Sequence, residues 1–418
     1  MAHIETTPIT GHSPGNEPGS PEQGKSDAIG HNRFLLGAMF MGHLVNDWVA
    51  GAIWIIAPAI AVSLGLGPAE VGIILAVNGL AAGLTYIPAG VIADRSSNQG
   101  LLMLVTFWWV AAGYFAATLA PGFWPVTLLL AVGVMGDAFW HPVATGVLVK
   151  SMPGRRAQVL GIHAMGGSLG AEFLGPLSIG LLLGFYEWQT TLQIITIPAV
   201  IMGVVFIFVS PRIPRSHGNR ISLAQFRNLV GSWSTRQGIG MVIMMTSYNM
   251  ALYGILTMTP VILQQRYALS PFLASAVFAG MLVSGSLCQP YIGKVSDIAG
   301  RKKFIIGTIL VAALFAFGAG YFLALPFFLA CLVGAASLLT AVRPVILAAA
   351  VEFSGKSEST TLGLVFAILD GVGALGALIA GFAGEIDLSL AFTISAVLAL
   401  VAIGSAGLMQ FSRGSRSG

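Results

Sequence analysis

The most constraining feature of this sequence is a succession of apolar runs, each about 20 residues long or longer. A helix of about 20 residues crosses the hydrocarbon core of a bilayer, so each run is long enough to span it. Apolar residues make up 56% of the 418 residues and charged residues only 9%. A soluble domain of this length cannot bury so much apolar surface. The sequence therefore predicts an all-α membrane protein with twelve transmembrane helices.

The basic side chains are distributed as membrane topology requires. Eighteen of the twenty Lys and Arg residues fall in the tails or in every second inter-helix loop, and only Arg266 and Arg343 depart from this pattern. Basic loops stay on the cytoplasmic side of a membrane. We therefore expect a multi-pass protein of the inner (plasma) membrane with both termini cytoplasmic. The same distribution accounts for an isoelectric point of about 9.2 without a nucleic-acid partner.

Composition divides the chain into five parts. The expected parts are a disordered cytoplasmic tail at 1–33, a six-helix bundle at 34–210, a basic cytoplasmic linker at 211–236, a second six-helix bundle at 237–411 and a cytoplasmic tail at 412–418. The first tail is rich in Pro, Gly and Ser, a composition that does not form a packed core. Two interpretations of the linker stay open: a solvated connection, or a short amphipathic helix at 223–229 on the anionic inner leaflet.

Two local patterns resemble ligand sites but lack the necessary context. Gly19–Ser26 matches the phosphate-binding P-loop, which works only between a buried strand and a helix, and Pro21 interrupts it here. Cys288 and Cys331 lie in apolar runs without metal-ligand spacing. We therefore expect no nucleotide, no metal and no cofactor.

A charged turn bounded by glycine occurs twice. Gly90-Val-Ile-Ala-Asp94-Arg95 is followed 203 residues later by a longer version that begins at Gly293 and contains Asp297. His141-Pro142-Val143 and Arg343-Pro344-Val345 repeat at an offset of 202. Self-similarity at a fixed period indicates duplication, and two repeated helical bundles are typical of transporters.

This turn resembles the cytoplasmic gate between the second and third helices of each half in the major facilitator superfamily. The second copy matches in full, whereas the first reads Ser-Ser-Asn-Gln after Arg95. The resemblance implies the major facilitator fold. It also implies a gate formed by Gly90, Asp94, Arg95, Gly293, Asp297, Gly300, Arg301 and Lys302.

A closer resemblance is to the fosmidomycin-resistance branch of that superfamily. It is carried by His43-Leu-Val-Asn46-Asp47, by Gly136-Asp-Ala-Phe-Trp-His141-Pro142 and by the glycines that follow. An acid commonly follows His-Pro in that branch, but Val143 stands here. Small residues allow close helix packing. The candidate packing residues are Gly166, Gly167, Gly170, Gly175 and Pro176.

Several ionisable side chains fall within the apolar runs, where each costs about 2.5–3.5 kcal/mol near the bilayer centre. Asp137 precedes His141 by one helical turn, and Asp47 has a histidine at the same spacing. A carboxylate beside an imidazole suits proton exchange at physiological pH. The candidate proton-coupling residues are Asp47, Asp137, His141, Glu172 and Asp370. An alternative stays open, in which such groups form fixed pairs between helices.

The superfamily resemblance implies that the first, fourth, seventh and tenth helices line a central cavity. The candidate substrate-binding residues are Arg343, Tyr248, Asn249, Tyr253, His43 and Asn46. Two roles remain open for Arg343, whose guanidinium either clamps an anionic substrate or neutralises the acids opposite it.

These observations predict a secondary transporter that works by alternating access. We expect proton-coupled export of a small compound, anionic or amphipathic, by a monomer in the lipid bilayer. Proton-coupled or facilitated uptake of an organic anion is the alternative. A membrane-embedded enzyme has little support because the sequence contains no nucleophile elbow and no metal-ligand spacing.

Overall fold

The computed structural model describes residues 21–152, 156–215, 227, 230–354 and 359–409. These residues form helices with short connections, and no strand occurs among them. Eleven of the helical segments are long and apolar enough to cross a membrane. A twelfth, the fifth in chain order, carries Glu172 and is divided by a π-helical turn. The predicted all-α architecture of two six-helix halves is confirmed.

We label the twelve segments α1 to α12. The N-terminal half contains α1 (Pro21–Gly51 continued by Ile53–Ser63), α2 (Pro68–Arg95), α3 (Gln99–Ala117), α4 (Phe123–Ser151), α5 (Arg156–Ser168, Leu169–Leu174 and Gly175–Leu182) and α6 (Trp188–Val209). The C-terminal half contains α7 (Arg236–Gln265), α8 (Pro271–Ala299), α9 (Arg301–Tyr321), α10 (Leu325–Ser354), α11 (Ser359–Phe366, Ala367–Val372 and Leu375–Ile386) and α12 (Leu390–Leu408).

The first helix begins earlier than predicted. α1 starts at Pro21, so residues 21–33, which the sequence analysis assigns to the first tail, are helical. Proline is favoured at the first helical position, and no further proline occurs before Pro58 to end the helix. Residues 1–20, the centre of the linker and the tail at 412–418 lie outside the described residues.

The two halves meet mainly along two helix pairs, α2 with α11 and α5 with α8. Small residues bring α2 and α11 together: a Cβ on residue 83 would lie 2.5 Å from the Cα of Gly371. At the end opposite the basic loops, the backbone N–H of Ala69 donates to Glu385 Oε1 over 2.9 Å. Trp54 of α1 packs edge-on against Tyr253 of α7, with ring centroids 5.0 Å apart. The halves are therefore in contact at the predicted outer end.

Candidate functional site

Two pairs of ionisable side chains from α1 and α4 meet midway along these helices. On α1, His43 Nε2 lies 3.3 Å from Asp47 Oδ2. On α4, His141 Nε2 lies 3.6 Å from Asp137 Oδ2. The helices are linked through His141, whose Nε2 is also 3.8 Å from Asp47 Oδ1. We call these four residues the His–Asp cluster, in which two carboxylates flank one imidazole.

Neighbouring groups fix the orientation of the cluster. Asn46 Nδ2 donates to Asp137 Oδ1 over 2.7 Å. His43 Nδ1 lies 2.7 Å from the carbonyl oxygen of His163. Because a carbonyl only accepts, the neutral His43 ring carries its proton on Nδ1 and presents the lone pair of Nε2 to the cluster. His43 and Asn46 are both buried, and their contacts lie within the cluster; that they bind substrate stays a prediction.

Two buried atoms of the cluster, His43 Nε2 and Asp47 Oδ1, have no hydrogen-bond partner among the described residues. One ligand-type atom from each of His43, Asp47 and His141 lies within 4.8 Å of the others. The set has no recognisable metal-ligand spacing in the sequence because its members belong to two helices that are distant along the chain. They come together only where α4 packs against α1.

The glycines of α5 allow this helix to approach the cluster. A Cβ on residue 167 would lie 2.5 Å from His43 Nε2 and 2.8 Å from Asp47 Oδ2. Further glycines lie in the same way against backbone atoms of α1: Gly166, Gly170 and Gly175. Pro176 is buried where the α-helix resumes after the π-helical turn. Close packing of α5 on α1 thus encloses one side of the cluster.

The C-terminal half contains a different charged pair. Arg343 Nη2 of α10 donates to Asp370 Oδ1 of α11 over 2.7 Å. The Arg343 side chain is 29% exposed although it lies midway along its helix. Asp370, predicted to take part in proton coupling, is therefore held beside a permanent cation. Arg343 neutralises an acid of its own half rather than one of the acids on α1 or α4.

The structure does not place Tyr248 and Asn249 on the wall of an open path. Both side chains are 0% exposed. Tyr248 Oη donates to the carbonyl of Leu339 on α10 over 2.5 Å, and Asn249 Nδ2 donates to the carbonyl of Leu369 on α11 over 2.5 Å. They tie α7 to its neighbours, because an apolar helix is most stable when its polar side chains face other helices.

Both α5 and α11 contain a π-helical turn that includes one acid. Glu172 lies in the turn at Leu169–Leu174, and Asp370 in the turn at Ala367–Val372. Ser286 Oγ of α8 donates to Glu172 Oε2, so this acid is bonded across the two halves. Turns of this kind occur frequently at functional sites. Glu172 and Asp370 therefore occupy related positions but have different partners.

Tyr86 of α2 is a site residue that the sequence analysis missed. Its ring centroid lies 6.0 Å from that of His141 in its own half and 5.6 Å from that of Phe366 on α11. It thus stands between the His–Asp cluster and the C-terminal half. A single tyrosine within an apolar run carries no pattern that would distinguish it from a packing residue.

The predicted gate residues form ion pairs at the helix ends. Asp94 Oδ1 lies 3.6 Å from Lys150 Nζ at the end of α4. Arg301 Nη2 lies 2.7 Å from Glu352 Oε1 at the end of α10. Lys150 and Glu352 are 202 residues apart, which is an offset of the internal repeat, whereas Asp94 and Arg301 are 207 apart, so only the helix-end partners correspond.

The other gate residues lie at the same helix ends. Lys302 Nζ donates to the carbonyls of Gly407 and Met409 over 2.6 Å. Gly300 has a φ of +93°, a conformation that favours glycine and permits the sharp turn between α8 and α9. Gly90 and Arg95 lie in α2 and Gly293 in α8. The side chain of Asp297 lies outside the described residues.

The arrangement of helices and charges can be compared with known proteins. Residues 39–288, more than half of the chain, match the family model of the Major Facilitator Superfamily. The chain belongs to this superfamily. Membership makes it a multi-pass membrane transporter rather than an enzyme, with a small-molecule substrate and a lipid environment.

Sequence relatives narrow the comparison within the superfamily. The chain is 25% identical over 380 residues to the fosmidomycin resistance protein of Escherichia coli (strain K12), covering 88% of this chain and 90% of that protein. It is 24% identical over 165 residues to a probable sugar efflux transporter of Helicobacter acinonychis (strain Sheeba), covering 39% of this chain and 41% of the relative. The predicted resemblance to the fosmidomycin-resistance branch is confirmed.

Solved structures of superfamily transporters share the fold. A bacterial homologue of the human lysosomal transporter Spinster, in an inward-facing and unoccupied conformation, has a TM-score of 0.72 and 17% identity, covering 90% of this chain and 96% of that chain. The nucleoside transporter NupG also has a TM-score of 0.72, with 16% identity, covering 89% of this chain and 98% of that chain. At this level of identity the likeness shows the fold alone.

Proposed function

We propose that this protein is a proton-coupled exporter of small anionic or amphipathic compounds in the inner membrane. The observation that carries the proposal is the His–Asp cluster. It brings two carboxylates and two imidazoles together midway along α1 and α4 of the N-terminal half. Export rather than uptake is supported by the names of the two relatives, one a resistance protein and the other an efflux transporter.

The cluster is suited to proton exchange because histidines are the only basic side chains in contact with its acids in the described part of the chain. Asp47 pairs with His43 and His141, and Asp137 pairs with His141. No Lys or Arg contacts either acid among the described residues, so the net charge of the cluster depends on bound protons. A buried group whose charge changes will favour whichever conformation hydrates or pairs it better. Proton binding can thereby shift the protein between its two access states.

Arg343 is the proposed binding group for an anionic substrate. A guanidinium has five N–H donors, and one of them is used by Asp370. The forked guanidinium of an arginine can donate two parallel hydrogen bonds to a carboxylate or phosphate group. A lysine ammonium cannot reproduce this geometry. Substrate at this position would lie between the charged pair of the C-terminal half and Tyr86 beside the His–Asp cluster.

Export is tested by expressing the chain in a bacterial host and measuring growth on a panel of toxic compounds that includes fosmidomycin. We expect raised resistance to at least one acidic compound with the wild-type chain and lost resistance with Asp47→Asn at equal membrane expression. Gly161→Ala is a matched control, because nothing lies within 4 Å of the added methyl group. Increased sensitivity to an acidic compound would favour uptake and contradict the proposed direction.

Topology is tested with single cysteines in the same host. A cysteine at Gly122 should react with a membrane-impermeant reagent added outside intact cells, and one at Ser216 should not. Labelling of a cysteine at Ser216 from outside would contradict the proposed orientation of the protein in the membrane.

A further inference from the structure

We propose that His43, Asp47 and His141 form a binding site for one divalent transition-metal ion of the zinc type. This inference goes beyond the proposed function and rests on ligand geometry. It therefore stands or falls separately from proton coupling.

The donor atoms are spaced as a compact metal site requires. Bonds of about 2.0–2.2 Å in a tetrahedral zinc site place neighbouring ligand atoms about 3.3 Å apart. His43 Nε2 and Asp47 Oδ2 are 3.3 Å apart, and His141 Nε2 is 3.8 Å from Asp47 Oδ1. All three residues offer donor atoms within 4.8 Å of one another. Side-chain rotations that bring the widest of these separations to about 3.3 Å would complete the geometry.

The surroundings of His43 also fit a metal ligand. Metal-binding histidines usually donate their other ring N–H to a carbonyl or carboxylate, which fixes the ring and its tautomer. His43 Nδ1 makes such a contact with the His163 carbonyl at 2.7 Å. Its Nε2 and Asp47 Oδ1 are buried without a hydrogen-bond partner. A bound ion would give both orphaned atoms a partner.

Charge favours a dication at this position. Asp47 and Asp137 together carry two negative charges when ionised, and a divalent ion balances them without a Lys or Arg. Asp137 Oδ2, which is 3.6 Å from His141 Nε2, stands beside the set as a further oxygen donor. Gly167 of α5 lies against the same donor atoms, since an added Cβ would be 2.5 Å from His43 Nε2 and 2.8 Å from Asp47 Oδ2. Two imidazoles with one carboxylate suit zinc, cobalt or nickel rather than calcium or magnesium.

The site is tested with the full-length protein, purified without a histidine tag and titrated with Co²⁺ and Zn²⁺ in the absence of any transport substrate. His3, His12, His31 and His217 are first replaced together to remove histidines that do not belong to the proposed site. We expect one ion per chain, with the intense visible bands of four- or five-coordinate cobalt and displacement of cobalt by zinc. His43→Ala and His141→Ala should each weaken binding at least tenfold, and Asp47→Asn provides an independent ligand variant.

Two results would overturn the metal site. One is the lack of any cobalt spectrum in the parent protein at millimolar metal. The other is stoichiometric binding that survives unchanged in His43→Ala, His141→Ala and Asp47→Asn. Because no substrate or proton gradient is used, either result leaves the proposal of proton coupling intact. Conversely, tight metal binding in a protein whose transport ignores the pH gradient would contradict proton coupling alone.

Discussion

Adding one methyl group at Gly167 should disrupt the His–Asp cluster. The new Cβ would lie 2.5 Å from His43 Nε2 and 2.6 Å from its Cε1, well inside normal contact distance. Relief requires α5 to move away from α1 or the His43 ring to leave its position. Overpacking of this kind costs about 1–3 kcal/mol. If the overpacking energy is added to the free-energy barrier of transport, the transport rate should fall roughly 5- to 150-fold. This follows because 1.36 kcal/mol corresponds to a factor of ten in rate.

The assay for Gly167→Ala compares transport rate and thermal unfolding in detergent with two reference proteins. One is the wild type, and the other is Gly161→Ala, which adds the same methyl group to the same helix in open space. We expect Gly161→Ala to behave as the wild type. Equal transport and equal unfolding temperature in Gly167→Ala would refute the claim that close packing of α5 positions the cluster.

Three further substitutions test other parts of the structure. Arg343→Lys should keep the charge yet weaken substrate affinity about tenfold or more, because an ammonium lacks the forked geometry, and unchanged affinity would exclude the clamp. Asp94→Asn removes the 3.6 Å ion pair with Lys150 and should slow transport without loss of membrane insertion, and Lys150→Gln should have the same effect. Wild-type transport rates in both variants would exclude a gating role for this pair. Ser286→Ala removes the hydrogen bond to Glu172 that links the two halves, so a cysteine introduced at this interface should react faster with thiol reagents. An unchanged labelling rate would show that the bond does not hold the halves together.

The sequence predicted the helical architecture and part of the site. Periodicity in a helix places residues four positions apart on one face, so the sequence predicts the pairs formed by His43 with Asp47 and by Asp137 with His141. The internal repeat likewise indicated two halves. These features depend on spacing within one helix or on self-similarity, both of which are visible in a single chain.

The partners of individual side chains could not be predicted in the same way. A membrane helix is apolar on most of its surface, so its sequence pattern does not define which face meets which neighbour. This is why the superfamily resemblance predicts Tyr248 and Asn249 at a central cavity, whereas both are buried and bonded to other helices. The π-helical turns around Glu172 and Asp370 were also missed, because one extra residue in a turn leaves no compositional sign.

The central claim is that the His–Asp cluster couples substrate export to proton movement. The most direct measurement is substrate-evoked proton flux, followed with a pH-sensitive dye in proteoliposomes alongside substrate exchange at zero pH gradient. We expect Asp47→Asn and Asp137→Asn to abolish the proton flux while substrate exchange persists, and Glu70→Gln, which neutralises an acid at the start of α2, to retain both. Proton flux in both cluster variants equal to that of the wild type would contradict the claim.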